Sequence, residues 1–197
     1  MCGRYYIDDE TSREIEKIIK DIDSRNSNKN YKTGEIFPTN TVPILVSQQE
    51  SITPNLCIWG FPNFKNKGVI INARSETAFE KKTFRESLLS RRCIIPANGF
   101  YEWNKNKEKI FFTQRDSNIM YMAGIYNTFQ EEARFVILTT AANNSISDVH
   151  DRMPLILNKD QISDWLNDSA KTQAYLNQTP TMLNRKSNYE QIGLRFN

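Results

Sequence analysis

The sequence predicts an α+β fold, a single β-rich domain over residues 1–197 with a few peripheral helices. Three observations carry that expectation. Short runs of β-branched and aromatic residues recur along the chain, Pro and Gly punctuate them, and few stretches show helical periodicity. The first element is a helix over 11–22, TSREIEKIIKDI, where Ile15, Ile18, Ile19 and Ile22 keep the spacing of one buried stripe. Thr11, followed three residues later by Glu14, is a capping-box start. The polar run SRNSNKN over 24–30 ends that helix as a loop. Strands are expected at 42–47, 56–61 and 69–71, separated by turn residues. A second helix is expected over 77–90, with Ala78, Phe84 and Leu88 facing inward. Further strands are expected at 93–95, 99–103, 110–114, 119–126 and 135–140, and late helices at 144–149 and 159–166. No repeat, low-complexity tract or linker divides the chain.

Composition narrows the function classes. The 197 residues are 39% hydrophobic and 25% charged, and the mean hydropathy is -0.61, as in soluble globular chains. No run approaches the ~18 apolar residues of a membrane span. The start, MCGRYYIDDE, has no basic-then-apolar signal segment, so secretion is not expected. Cys2, Cys57 and Cys93 are far apart, and His150 is the sole histidine. That set excludes a disulfide framework and a Cys/His zinc site, and points to a reducing, cytoplasmic compartment. No metal and no diffusible cofactor is expected. Net charge is +3, unevenly spread: residues 61–115 hold 12 Lys/Arg against 5 Asp/Glu, and the remainder is net acidic. A basic middle permits an anionic partner such as nucleic acid, although a solvated face looks the same.

Candidate chemistry begins at Cys2. Removal of Met1 leaves a 1,2-aminothiol, with an amine of pKa ~7.7–8.0 beside a thiol of pKa ~8.5. An aldehyde can condense with the amine and be trapped by the thiol in a five-membered ring, or the thiol can attack an acyl group. A frayed terminus is the plainer reading. His150, between Asp148 and Asp151, can act as acid or base, or simply bond a neighbour in its loop. Glu102 shares a strand face with Phe100 and Asn104, where partial desolvation suits proton transfer and full exposure does not. Asn72 ends an apolar run and can orient a carbonyl or cap a turn. Arg4, Arg74 and Arg152 make a possible phosphate clamp. Trp59, Trp103 and Pro38 are either surfaces for bases or parts of the core.

Taken together, these residues lie in an ordered series of motifs. Cys2-Gly3-Arg4 is followed by Phe37-Pro38-Thr39, Trp59-Gly60 and Asn72-Ala73-Arg74-Ser75-Glu76-Thr77. Next come Arg92-Cys93-Ile94-Ile95-Pro96-Ala97, Gly99-Phe100-Tyr101-Glu102-Trp103, Leu138-Thr139-Thr140-Ala141-Ala142-Asn143 and His150-Asp151-Arg152-Met153-Pro154. The series closely resembles the SRAP family of SOS response-associated peptidases, also called abasic site processing proteins, and it covers most of the chain. The resemblance implies an SRAP-like β-rich fold with a basic groove for single-stranded DNA. It further implies a DNA-repair enzyme, lyase-like, whose Cys2 forms a thiazolidine crosslink with the aldehyde of an abasic site and shields the lesion from strand cleavage. By the same resemblance Asn72 orients the sugar, Glu102 handles protons and His150 assists near the sugar and its phosphate. Arg4, Arg74 and Arg152 match phosphate contacts, while Trp59, Trp103 and Pro38 match stacking or wedging positions. The family's peptidase label implies thiol self-processing at Met1. The expected partners are single-stranded DNA with abasic sites and replication-fork proteins. A monomer is expected, without a membrane and associated with the nucleoid when DNA-bound. Two other readings remain open: an N-terminal-nucleophile peptidase or amidohydrolase, and a non-covalent single-strand-binding module.

Overall fold

Long apolar runs in the middle of the chain form strands buried on both faces, and alternating runs form strands buried on one. The computed structural model describes residues 2–8, 13–25, 30–63 and 67–187. The first half runs β1 (Tyr5–Ile7), α1 (Arg13–Arg25), β2 (Gly34–Ile36), β3 (Thr41–Gln48), β4 (Ser51–Trp59), β5 (Phe61–Pro62), β6 (Val69–Ile70), β7 (Asn72–Arg74) and α2 (Lys82–Ser90). The second runs β8 (Arg92–Ala97), β9 (Gly99–Trp103), β10 (Lys109–Gln114), β11 (Met120–Phe129), β12 (Glu132–Ala141), β13 (Arg152–Pro154), β14 (Ile156–Leu157), α3 (Ile162–Asn167), α4 (Thr172–Leu176) and β15 (Leu183–Ser187). The α+β class and the strand-rich core follow the sequence expectation.

The larger sheet closes on itself. Strand β12 pairs with β4, β4 with β3, β3 with β8, β8 with β11, and β11 returns to β12. Closure gives each of these five strands a partner on both sides over part of its length, which shortens the edges whose unpaired backbone groups would invite other chains. The β12–β4 contact is parallel, with Phe135 opposite Trp59. Strand β7 lies parallel to β12, β13 pairs antiparallel with it, and β14 pairs with β11. Every residue of β8 is buried, which is why RCIIPA reads as an unbroken run rather than an alternation.

A second, five-stranded antiparallel sheet runs β15-β10-β9-β1-β2. Its inner face buries Tyr5, Ile7, Ile36, Phe100, Ile110 and Phe112. Its outer face carries Tyr6, Tyr101, Trp103 and Phe111, all half-buried. The hairpin from β9 to β10 approaches closely at Gly99, where a Cβ would stand 2.3 Å from the Phe112 carbonyl oxygen. Only glycine fits there without moving backbone.

The helices pack outside the strands. Ile15, Ile19 and Ile22 of α1 are buried as their spacing predicts, and α1 contacts β3 and β4. Thr11, the expected cap, lies outside the described residues, as do positions 26–29 of the expected loop. Glu14 accepts a 2.5 Å hydrogen bond from the Tyr121 hydroxyl and pairs with Lys159. The helix expected over 77–90 starts only at Lys82, after a 3-10 turn at Ser75–Thr77. The helix expected over 144–149 is instead a run of turns. Asn143 caps the segment as a helix start would, its Oδ1 accepting from the Ser145 N–H at 2.9 Å while its Nδ2 donates to the Pro180 carbonyl at 2.9 Å. The helical-type bonds that follow, Ser147 N–H to the Asn143 carbonyl at 3.0 Å and His150 N–H to the Ile146 carbonyl at 2.9 Å, are single turns and not a continuous ladder.

Buried Arg92 fastens two helices to the barrel. Its guanidinium donates to the carbonyls of Leu88 and Leu89, at 3.0 and 2.9 Å, and of Trp165. These are last-turn carbonyls of α2 and α3 that no helical N–H can reach. Arg92→Met should therefore destabilise the fold by about 3 kcal/mol, because several buried acceptors lose a charged donor. Chemical denaturation measures this, and an unchanged midpoint would show that water satisfies those carbonyls.

Candidate active site

Cys2 is buried in the core, and its thiol lies 3.8 Å from the Arg4 carbonyl oxygen, to which it donates. The Cys2 carbonyl accepts a 3.0 Å hydrogen bond from Nδ2 of Asn72. Asn72 opens β7 and is held by pairing against Ile137 of β12. Its Oδ1 is buried and accepts no hydrogen bond among the described residues. Glu102 is only 4% exposed, so β9 turns it to the barrel with Phe100 and not to solvent. Burial holds the Cys2 thiol far above its ordinary pKa, and the nearby Glu102 carboxylate pushes it further. The thiol therefore rests protonated at neutral pH and needs a base before it can attack.

His150 reaches this region through β12. One side of β12 pairs with β7, placing Thr139 opposite Arg74, and the other pairs with β13, placing Ala141 opposite Arg152. The Ala142 N–H donates to the Asp151 carbonyl at 3.0 Å and holds the turn that carries His150. Nδ1 of His150 accepts the Arg152 N–H at 2.9 Å and lies 2.9 Å from Asp151 Oδ1. The carboxylate contact requires a proton on Nδ1, whereas the backbone contact requires a lone pair. In the neutral ring the backbone N–H supplies the bond, which leaves the ring proton on Nε2.

Around this centre, Arg4 stacks between two aromatics, its Cζ 4.2 Å from the Phe37 ring centroid and 5.0 Å from that of Trp103. It also bonds Glu35 at 3.1 Å, as Lys109 does at 2.6 Å. Burial opposes the Glu35 charge, but Lys109 and Arg4 together hold its carboxyl below the ordinary range. Pro38 is half-exposed at the second position of a turn closed by the Asn40 N–H on the Phe37 carbonyl, at 3.1 Å. Thr39 has φ 73°, the left-handed conformation that the third position of a type II turn demands and that costs a β-branched residue.

The remaining expected site residues divide. Arg74 is exposed. Arg152 is engaged, its two arms on Glu76 at 2.6 and 2.8 Å and one of them also on the Thr139 carbonyl at 2.6 Å. Trp59 is a correction: it is fully buried, edge-on to Tyr5 and stacked with Phe135, and its indole N–H donates to the Ile71 carbonyl at 3.0 Å. No face of that ring is open to a base. Glu35, Phe37, Glu76 and Thr139 were missed as participants. Glu76, Thr139 and Phe37 stood inside the motifs, but only folding reveals what they touch. Among the described residues, no cluster of three metal-ligating side chains occurs and no helix is long and apolar enough to cross a membrane.

A thiol at the start of the chain, gripped through its own carbonyl and faced by a buried carboxylate in a strand-rich barrel, defines a family. The profile of the SOS response associated peptidase (SRAP) family matches residues 1–192, and the chain belongs to it. Among its relatives is the abasic site processing protein YoqW of Bacillus subtilis (strain 168), 33% identical over 191 residues, which cover 89% of this chain and 84% of YoqW. Another is the abasic site processing protein YedK of Escherichia coli (strain K12), 30% identical over 176 residues, covering 84% and 79%. A crystal structure of a Bacteroides thetaiotaomicron protein shares the fold with a TM-score of 0.76 at 24% identity, covering 94% of this chain and 91% of that one.

The buried thiols set an alkaline limit. Burial pushes Cys57 up to about 12 and holds Cys93, beside Cys57, well above the ordinary value, as at Cys2. An unfolded thiol ionises near pH ~8.5 while the native one keeps its proton. Stability is therefore full below that pH and declines as pH rises toward about 12, because only the unfolded state gives up protons. Melting temperatures measured from pH 7 to 11 should fall above pH 9, less steeply in Cys57→Ala. A flat profile would mean the thiols are not buried.

Proposed function

We propose that this chain processes abasic sites in single-stranded DNA by trapping them covalently at Cys2. The observation that carries the reading is the placement of Cys2, with its carbonyl held by Asn72 and the Glu102 carboxylate beside its thiol. The relatives' names, as abasic site processing proteins, support the substrate class.

Removal of Met1 frees the amine of Cys2. An abasic deoxyribose is mostly a closed hemiacetal, and opening it requires a proton to be delivered and another removed, which is work for Glu102. The amine adds to the aldehyde carbon and water leaves, giving an imine. The thiol then adds to the imine carbon. A C–S bond forms, the C=N π bond breaks, and the thiol proton passes by way of Glu102 to the nitrogen. The product is a thiazolidine, formed with no oxidant or reductant. Because sulfur and nitrogen sit on adjacent carbons of one residue, ring closure has a high effective concentration. The ring consumes the imine from which β-elimination would break the strand.

His150, through its Nε2–H, assists at the sugar and adjacent phosphate. Arg4 and Arg74 meet phosphates, and Arg152 braces the His150 turn through Glu76. Trp103 and Pro38 occupy space that a complementary strand would fill, favouring single strands. The Asn72 grip lies on the Cys2 carbonyl, one peptide beyond the Met1–Cys2 bond. It therefore orients Cys2 and does not polarise the bond that releases Met1.

Intact mass after incubation with abasic single-stranded DNA should show a chain lacking Met1 plus one covalently attached DNA, stable to denaturation. Cys2→Ala should give no adduct while still binding DNA, and an adduct in that variant would overturn the assignment. Glu102→Gln should slow crosslinking at least tenfold while changing DNA affinity less than twofold, on the scale of ~10²–10⁴ for general acid–base groups. Equal losses would make Glu102 a binding residue. Repeated turnover of a peptide with indifference to DNA would favour the peptidase reading.

A further inference from the structure

The outer face of the five-stranded sheet holds a second feature that the reactive centre does not use. A cleft of about 750 Å³ opens there, lined by Tyr6, Phe111, Arg115, Arg185 and Lys186, with amide and hydroxyl side chains making up the rest. That volume lies within the usual range for small-ligand pockets. No carboxylate lines it. Arg185 is paired with Asp148 at 2.6 Å, whereas Arg115 and Lys186 are exposed and form no ion pair among the described residues.

Sheet register explains the juxtaposition. Phe111 of β10 stands directly opposite Lys186 of β15, so the ring and the cation share a face. Tyr6 of β1 stands opposite Gly99 of β9, whose missing side chain makes room for the Phe111 ring, 2.7 Å from where a Cβ would stand. Tyr6 and Phe111 meet edge to face, with centroids 6.2 Å apart and planes at 83°. Tyr101 backs Phe111 at 4.7 Å, and Lys109 covers the Tyr101 ring at 4.0 Å, closing that side.

We propose that this cleft binds an undamaged nucleotide of the single strand, a subsite separate from the centre that reacts with the lesion. An aromatic surface for a base, cations for its phosphates and an absence of acidic groups are the three requirements of sequence-tolerant single-strand binding. Strand β1 links the cleft to the reactive region, since Tyr6 lies four residues from Cys2 and hence at most ~14 Å along an extended chain. The choice of DNA rests on the abasic-site reading, whereas the preference for a single strand rests on the cleft's own chemistry.

Fluorescence anisotropy with a labelled, undamaged oligothymidylate tests this separately from crosslinking. The double variant Arg115→Gln/Lys186→Gln changes only exposed side chains and should bind more weakly, with a salt dependence shallower by about 0.7 per lost phosphate contact. Phe111→Leu should weaken binding about fivefold or more, as expected for loss of one stacked base. Both variants should still form the covalent adduct when abasic DNA is saturating. Unchanged affinity and salt slope in the double variant would overturn the subsite, whatever happens to the adduct. So would a shift in sedimentation with DNA binding intact, which would mark the face as a contact between copies. Loss of the adduct in the wild-type protein, with these binding differences present, would instead sink the abasic-site reading and leave the cleft standing.

Discussion

Strand β12 is the constraint on which the rest of the molecule depends. It pairs with β11 and β4 to close the barrel, and with β7 and β13 beyond the ring. Asn72 arrives on β7, and His150 and Arg152 arrive through β13 and the turn before it. Four partners along one strand bring together residues that lie nearly 80 positions apart in the chain. The pairing also buries the strand: Phe135 through Leu138 are wholly inside. Sliding β12 by one residue would break its register with all four partners and scatter the site.

Burial at Cys2 has two consequences that pull in different directions. It positions the residue through Asn72 and the Arg4 carbonyl, and it keeps the thiol in its unreactive protonated form. A freely ionised thiolate would react with many electrophiles. A thiol that rests protonated reacts only where a base can take its proton. Glu102 therefore matters through its placement on the inner face of β9, while its neighbours Tyr101 and Trp103 face outward toward Arg4 and Lys109. One short strand thus turns Glu102 toward Cys2 on one face and sets Tyr101 and Trp103 under cations on the other.

Much of the fold was legible before any coordinates. Apolar periodicity marked α1, and β-branched runs marked β3, β8, β9, β10, β11 and β12 within a few residues. Strands β1, β2, β7, β13 and β15 escaped notice because three to five residues carry too little pattern, and they exist only because a neighbour offers a ladder. The turns at 144–149 read as helical because Asn143 caps them like a helix start, but its Nδ2 is engaged by the Pro180 and Thr181 carbonyls some 37 residues on and the helical bonds stop at single turns. Trp59 failed as a stacking surface for a similar reason. Its type suits a base or a core equally, and the β12–β4 pairing placed Phe135 beside it.

The sequence by itself determined the chemistry that could occur: an aminothiol latent behind Met1, one carboxylate, one amide and one histidine in an ordered series of motifs. That is so because reactivity belongs to residue types, which are read directly. Tertiary structure alone decided which of those groups meet, which cations pair with Glu35 and Glu76, and which aromatics keep an open face. Those outcomes depend on long-range pairing and burial, which no local window of residues contains.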